Sequence, residues 1–150
     1  AGQASVIATH IRLAPRVPDP DPVYDDLVND VRTFLRDRAE SALAAGIPKE
    51  RIVIDAGLDL GKTPRMSWEL LQQSDALMDL GYPLLLSASN KRFLFELLDT
   101  ERTDIESGTT AAHVIGIAKG CRVIRAPVVQ AGRRAADMMA QILALRAEAA

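Results

Sequence analysis

The chain has 150 residues, a formal net charge of −2, 48% hydrophobic residues, 25% charged residues and only 4% aromatics. That length holds one domain with a real core. The absence of a basic excess argues against a general binder of nucleic acid or of a membrane surface, and the few aromatics give bases no stacking platform. Cys121 is the only cysteine, so no intramolecular disulfide can form and a reducing cytoplasm is the expected compartment. No apolar run approaches the roughly 18 residues of a membrane span, and the amino terminus lacks the pattern of a signal peptide. It begins without Met, almost directly in a strand, as expected of a chain cut from something longer.

In chain order, Ser5–Ile11 reads as the first strand. Pro18-Asp-Pro-Asp-Pro22 excludes regular helix or central strand, and Asp21 and Pro22 read as the N-cap and first residue of a helix. Tyr24, Leu27, Val28, Val31, Phe34 and Leu35 recur at helical spacing, and Gly46 ends the helix. Ile52-Val-Ile54 is a β-branched run, the mark of a strand covered on both faces. Ser67 is expected to cap the next helix, with Leu70, Leu71, Ser74, Leu77 and Met78 as its buried stripe. Leu84–Ser89 is the third strand, Phe93–Leu98 a short helix and Asp99–Gly108 a polar connection. Thr110–Lys119 is a helix of small residues and Cys121–Arg125 the fourth strand. A last helix follows, its inner face carrying Ala131, Ala135, Met138, Met139, Ile142 and Leu145.

Strands alternating with helices imply right-handed crossovers and a parallel sheet. Two architectures fit: a small open doubly wound sheet, or half of a (β/α)8 barrel, which needs about 250 residues when whole. Either brings Arg12, Asp55, Lys91 and Arg125 to the carboxyl end of the sheet, where such folds bind ligands. Asp55 is the most informative of them. An ionised carboxylate at the end of a buried strand is costly unless it has a task or a partner.

Asp55-Ala-Gly-Leu-Asp-Leu-Gly-Lys62, Gly81-Tyr-Pro-Leu-Leu-Leu-Ser-Ala-Ser-Asn-Lys91, Thr110-Ala-Ala112 and Arg122-Val-Ile-Arg125 occur in that order. With Thr9-His-Ile-Arg-Leu-Ala-Pro15, the set resembles the carboxyl-terminal half of the dihydropteroate synthase family. The resemblance implies a single pterin-binding (β/α)4 half barrel over residues 1–150, supplying strands five to eight of a TIM barrel. It implies a transferase of folate biosynthesis that joins 4-aminobenzoate to 6-hydroxymethyl-7,8-dihydropterin diphosphate and releases diphosphate with Mg²⁺. The Mg²⁺ ligands would lie in the other half of the barrel. Asp55 matches the family's pterin-binding aspartate, and its acceptor-only carboxylate suits ring N–H and amino donors. Lys91 matches the lysine that donates to the acceptor edge. Arg125 matches the arginine that lies along the pterin and faces the diphosphate, where a fixed cation stabilises the leaving group. Lys91 and Arg125 are thus the candidate catalytic residues, with Arg125 and Lys62 as candidate anion binders. A homodimer, or association with the missing half, is the expected assembly.

The chain departs from the family pattern on the other two substrates. On the aminobenzoate side Leu60 stands for a phenylalanine, Ser89 is kept, and Arg92 stands for a serine. Pro127 stands for the histidine after the last strand and has no N–H with which to hold an anion. These changes are expected to weaken the diphosphate and aminobenzoate sites and raise a catalytically inactive paralogue as the rival reading, while the missing amino-terminal half is what is expected to leave the 150-residue chain inactive alone. Gly57–Thr63 gives a second rival, a phosphate-binding P-loop, but it has three residues where that motif needs four before Gly-Lys. Lys62 can also be read as a solvated loop residue, His10 as a hydrogen-bonded core histidine, and His113 as structural or exposed. Trp68 and Cys121 read as packing residues.

Overall fold

Asp26, not Asp21, starts the first helix, because its carboxylate accepts from Asn29 N–H at 3.0 Å and satisfies a donor that the first turn leaves free. The computed structural model describes residues 4–99 and 105–148. Its elements are β1 (Val6–Thr9), α1 (Leu27–Ala44), β2 (Ile52–Asp55), α2 (Pro64–Gln72), β3 (Leu84–Leu86), α3 (Arg92–Leu98), α4 (Glu106–Ala118), β4 (Val123–Ile124) and α5 (Val129–Glu148). β1, β3 and β4 are each shorter than the strand expected from the sequence, with only Val123 and Ile124 of Cys121–Arg125 in the ladder, whereas β2 runs one residue past its apolar run to Asp55. The polar connection expected from Asp99 to Gly108 is already helical from Glu106, and residues 100–104 lie outside the described residues.

The second helix also begins earlier than expected. Thr63 Oγ1 accepts from Met66 N–H, Pro64 occupies the first turn, and Ser67 is fully buried inside the helix. The buried stripe through Leu77 is real, but the backbone tightens into a 3₁₀ segment over Ser74–Leu80. In α5 the buried residues are Gly132, Ala135 and Met139, while Met138, Ile142 and Leu145 stand exposed. Small residues seat this helix: a Cβ at Gly132 would come within 3.0 Å of Ala126 Cβ.

All four strands are parallel, and their spatial order is β1-β2-β3-β4. A doubly wound sheet reverses its strand order at a switch point, and this one never does. An order that advances steadily with right-handed crossovers keeps every helix on one face, which is barrel topology. Ile52, Ile54, Leu84 and Leu86 are buried, and Ile54, Leu84 and Leu86 share one core with Val31 and Leu35 of α1 and Leu70 of α2. The opposite face carries Ile7 and Val53 as one cross-strand pair and Thr9, Asp55, Leu85 and Val123 as the next row. There Ile7 is 55% and Val123 37% exposed, so the face that lines a barrel interior is open at both edges.

Candidate functional site

Asp55 closes β2 and is only 8% exposed. Its backbone carbonyl accepts from His10 N–H at 2.9 Å, which extends the ladder one step past β1. One carboxylate oxygen accepts from Gly57 N–H at 2.8 Å and the other from the Thr9 hydroxyl at 3.4 Å. Burial pushes this carboxyl above the usual range, opposed by the Gly57 N–H, the Lys91 charge, the Thr9 hydroxyl and the Lys62 charge.

The loop after Asp55 turns back under itself. Gly57 has φ +66°, and a Cβ there would lie 2.0 Å from His10 O, so only glycine fits against β1. Asp59 also takes a left-handed backbone (φ +62°) and ties the loop to two helices. Its N–H donates to Ser67 Oγ, and its carboxylate accepts from that hydroxyl at 3.1 Å and from Phe93 N–H at 3.4 Å. This anchoring role was missed in the sequence. A signal existed nonetheless, since an aspartate tolerates the left-handed region better than most residues.

Lys91 precedes α3 after β3, and its ammonium reaches across to Leu58 O of the Asp55 loop. Burial lowers its pKa, the charges of Asp55 and Asp59 raise it, and Arg125 lowers it further. Arg125 follows β4 directly, its N–H donating to Leu86 O at 3.0 Å. The carboxylate and both cations therefore stand at one end of the sheet, close enough for Lys91 to feel each of the others. Arg12 reaches the same end, but its guanidinium is bound by both carboxylate oxygens of Asp19, which folds the proline-rich connection back on itself.

Lys62 is where the expectations fail. It is neither solvated nor free for an anion, being 6% exposed with three internal partners. Its ammonium meets His10 Nδ1 at 2.8 Å, Gly57 O at 3.0 Å and Leu60 O at 3.0 Å, and these take its three hydrogens. The same geometry removes the P-loop reading, in which that lysine must face a phosphate. Arg92 is exposed and paired with Glu96 one helical turn on, Leu60 is 39% exposed, and Ser89 is buried with a hydroxyl that has no partner among the described residues. Trp68 packs as expected and donates to Phe93 O at 2.9 Å.

His10 is the hydrogen-bonded core histidine expected, 3% exposed. Burial and the neighbouring Lys62 charge bring its pKa down to about 4. Below pH 6.5 the unfolded chain takes up a proton that folded His10 refuses, so this residue costs stability as pH falls from 6.5 to about 4. Replacing it as His10→Gln keeps an acceptor for Lys62 and is expected to flatten that part of the stability profile, read by urea unfolding at pH 7 and pH 4.5. His113 is buried, and burial lowers its pKa; both ring nitrogens lack partners among the described residues.

A family described as pterin binding enzyme matches residues 1–126. The chain belongs to that family. A dihydropteroate synthase of Streptococcus pyogenes is 35% identical over 123 residues, which cover 81% of this chain and 46% of that protein. The chain thus spans about half the length of the curated relatives it matches. The crystal structure of dihydropteroate synthase from Stenotrophomonas maltophilia superposes with a TM-score of 0.88 at 33% identity, covering 93% of this chain and 53% of that one. The enzyme of Clostridium difficile, solved in the presence of pteroic acid, superposes with a TM-score of 0.84 at 32% identity, covering 93% and 51%. The pterin-binding fold and its half-barrel extent thus agree with the strand order.

Proposed function

We propose that this chain carries the pterin-holding half of a dihydropteroate synthase-type barrel. Asp55 accepts the ring's N–H and amino donors, Lys91 donates to its acceptor edge, and Arg125 lies along the ring toward the leaving diphosphate. The observation that carries the reading is the buried Asp55 carboxylate at the strand end, within the field of Lys91, which is itself within the field of Arg125. A flat heterocycle with donors on one edge and acceptors on the next satisfies all three. The reaction on this reading condenses 4-aminobenzoate with 6-hydroxymethyl-7,8-dihydropterin diphosphate. Arg125 opposes the charge that develops on the departing diphosphate.

Among the described residues no group of three or more His, Cys, Asp or Glu is placed to hold a metal. The oxygens of Asp55 are engaged by Gly57 and Thr9. These residues do not fit Mg²⁺, whose ligands would lie in the other half of the barrel. The open inner face and unpaired sheet edges favour completion by another half barrel, and the exposed apolar residues of α5 favour a homodimer. A cytoplasmic setting follows from the same pathway.

A second reading, a pterin-binding relative without catalysis, is favoured by Pro127 and by the engagement of Arg92 with Glu96. Calorimetry of the full-length protein with a pterin, and then with the pterin diphosphate, separates the two. Much tighter binding of the diphosphate, with dihydropteroate formed on adding 4-aminobenzoate, supports the synthase. Weak binding of both without turnover supports the relative, and binding of neither contradicts both.

A further inference from the structure

The sequence gives Lys62 no task once its anion role is removed, yet burying an ammonium is expensive. Its three bonds explain what that burial achieves. Gly57 is shared: its N–H holds the Asp55 carboxylate at 2.8 Å, and its carbonyl accepts from Lys62 at 3.0 Å. His10 is shared in the same way, because its N–H holds the Asp55 carbonyl while its ring receives Lys62 at 2.8 Å. Lys62 thus grips two of the three residues that hold Asp55, without bonding to the carboxylate itself. We propose that Lys62, seated on His10, is a positioning residue for Asp55: it holds the Gly57–Leu60 turn from beneath, and its charge helps keep the Asp55 carboxylate ionised for ring N–H donors.

This inference rests on reading Asp55 as the ligand-facing carboxylate. The groups that act on the Lys62 charge are Asp55 at the end of β2, Asp59 in the turn, Asp19 in the proline-rich connection and Lys91 ahead of α3. Burial outweighs the three carboxylates and brings the Lys62 pKa down to about 7. His10 lets the turn survive that titration. As a charged donor Lys62 gives three hydrogens to two carbonyls and an unprotonated Nδ1. As a neutral amine it gives two to the carbonyls and accepts one from His10 in its other tautomer. The shape stays while the charge leaves.

The test uses labelled full-length protein without ligand. In the wild type, the Gly57 amide shift is expected to inflect twice with pH, once with Asp55 and once near 7 with Lys62. In Lys62→Met the upper inflection disappears and the Asp55 carboxyl ¹³C midpoint moves to higher pH, whereas Lys62→Arg leaves that midpoint in place. Pteroic acid affinity, measured by calorimetry, is expected to fall about tenfold in Lys62→Met, as for the loss of one charge-assisted support. An Asp55 midpoint unmoved by Lys62→Met, or a wild-type Gly57 amide that does not follow the titration of the Lys62 ammonium read from its own ¹⁵N shift, overturns the proposal. The wild-type titration decides it even where the methionine variant does not fold. Failure of the wild type to bind pteroic acid removes the pterin reading instead, and leaves the two midpoints to judge Lys62.

Discussion

Asp55→Asn is expected to lower the affinity of the full-length protein for a pterin about a hundredfold, measured by calorimetry at pH 7.5. Asparagine keeps the size of the side chain but offers one acceptor and two donors where the carboxylate offers acceptors alone. One carboxylate oxygen is held by Gly57 N–H and the other lies 3.4 Å from the Thr9 hydroxyl, so the carboxylate is aimed by its neighbours. The substitution replaces charge-assisted bonds to the ring by one neutral bond and one donor–donor clash. Two such bonds at about 1.5 kcal/mol each make about 3 kcal/mol, or roughly a hundredfold. The fold is expected to keep its melting temperature, because removing a buried charge relieves the desolvation that raises the Asp55 pKa. A binding loss accompanied by a large fall in melting temperature would instead mark Asp55 as a structural residue.

Gly57→Ala is expected to destabilise the fold by about 3 kcal/mol or more, read as a fall in the urea midpoint. Two separate costs meet there. The backbone sits at φ +66°, which costs an alanine about 1–2 kcal/mol on its own. The new Cβ would lie 2.0 Å from His10 O, so β1 and the loop must part. Parting them breaks the ladder step from His10 to Asp55 and the grip of Lys62, so pterin affinity is lost as well. Gly46→Ala is the control. Its φ is +85°, but nothing lies within 4 Å of the added Cβ, so only the backbone cost of about 1–2 kcal/mol remains.

The alternation of strands and helices was legible because buried strands stand out as short continuous apolar runs and helices as a period of 3.6. Sequence order could not choose between an open sheet and a half barrel, since both have the same succession of elements. That choice lies in which strands are neighbours, and β1-β2-β3-β4 makes it. Helix starts were misplaced where two capping residues compete. Asp26 and Thr63 won over Asp21 and Ser67 because their oxygens meet N–H groups of the first turn. The α5 stripe was legible at Ala135 and Met139 but misread at Met138, Ile142 and Leu145, because large apolar residues look like core, whereas the helix is seated at Gly132 against Ala126.

The gathering of Asp55, Lys91 and Arg125 at one end of the sheet was readable from their places at strand ends. Lys62 was not, because its bonds go to two backbone carbonyls and a ring 52 positions away in sequence. A glycine-flanked lysine looks like a ligand contact until the loop is folded. Asp59 was missed for a similar reason, since its partners Ser67 and Phe93 come from two different helices.

The most direct test of the three-residue grip is a crystal structure of the full-length protein soaked with a pterin. The ring is expected at the carboxyl end of β2–β4, with its donor edge on the Asp55 carboxylate, Lys91 Nζ on an acceptor of the ring, and the Arg125 guanidinium along its face. A ring bound elsewhere, or at this end with Asp55 still turned to Gly57 and Thr9 alone, would contradict it.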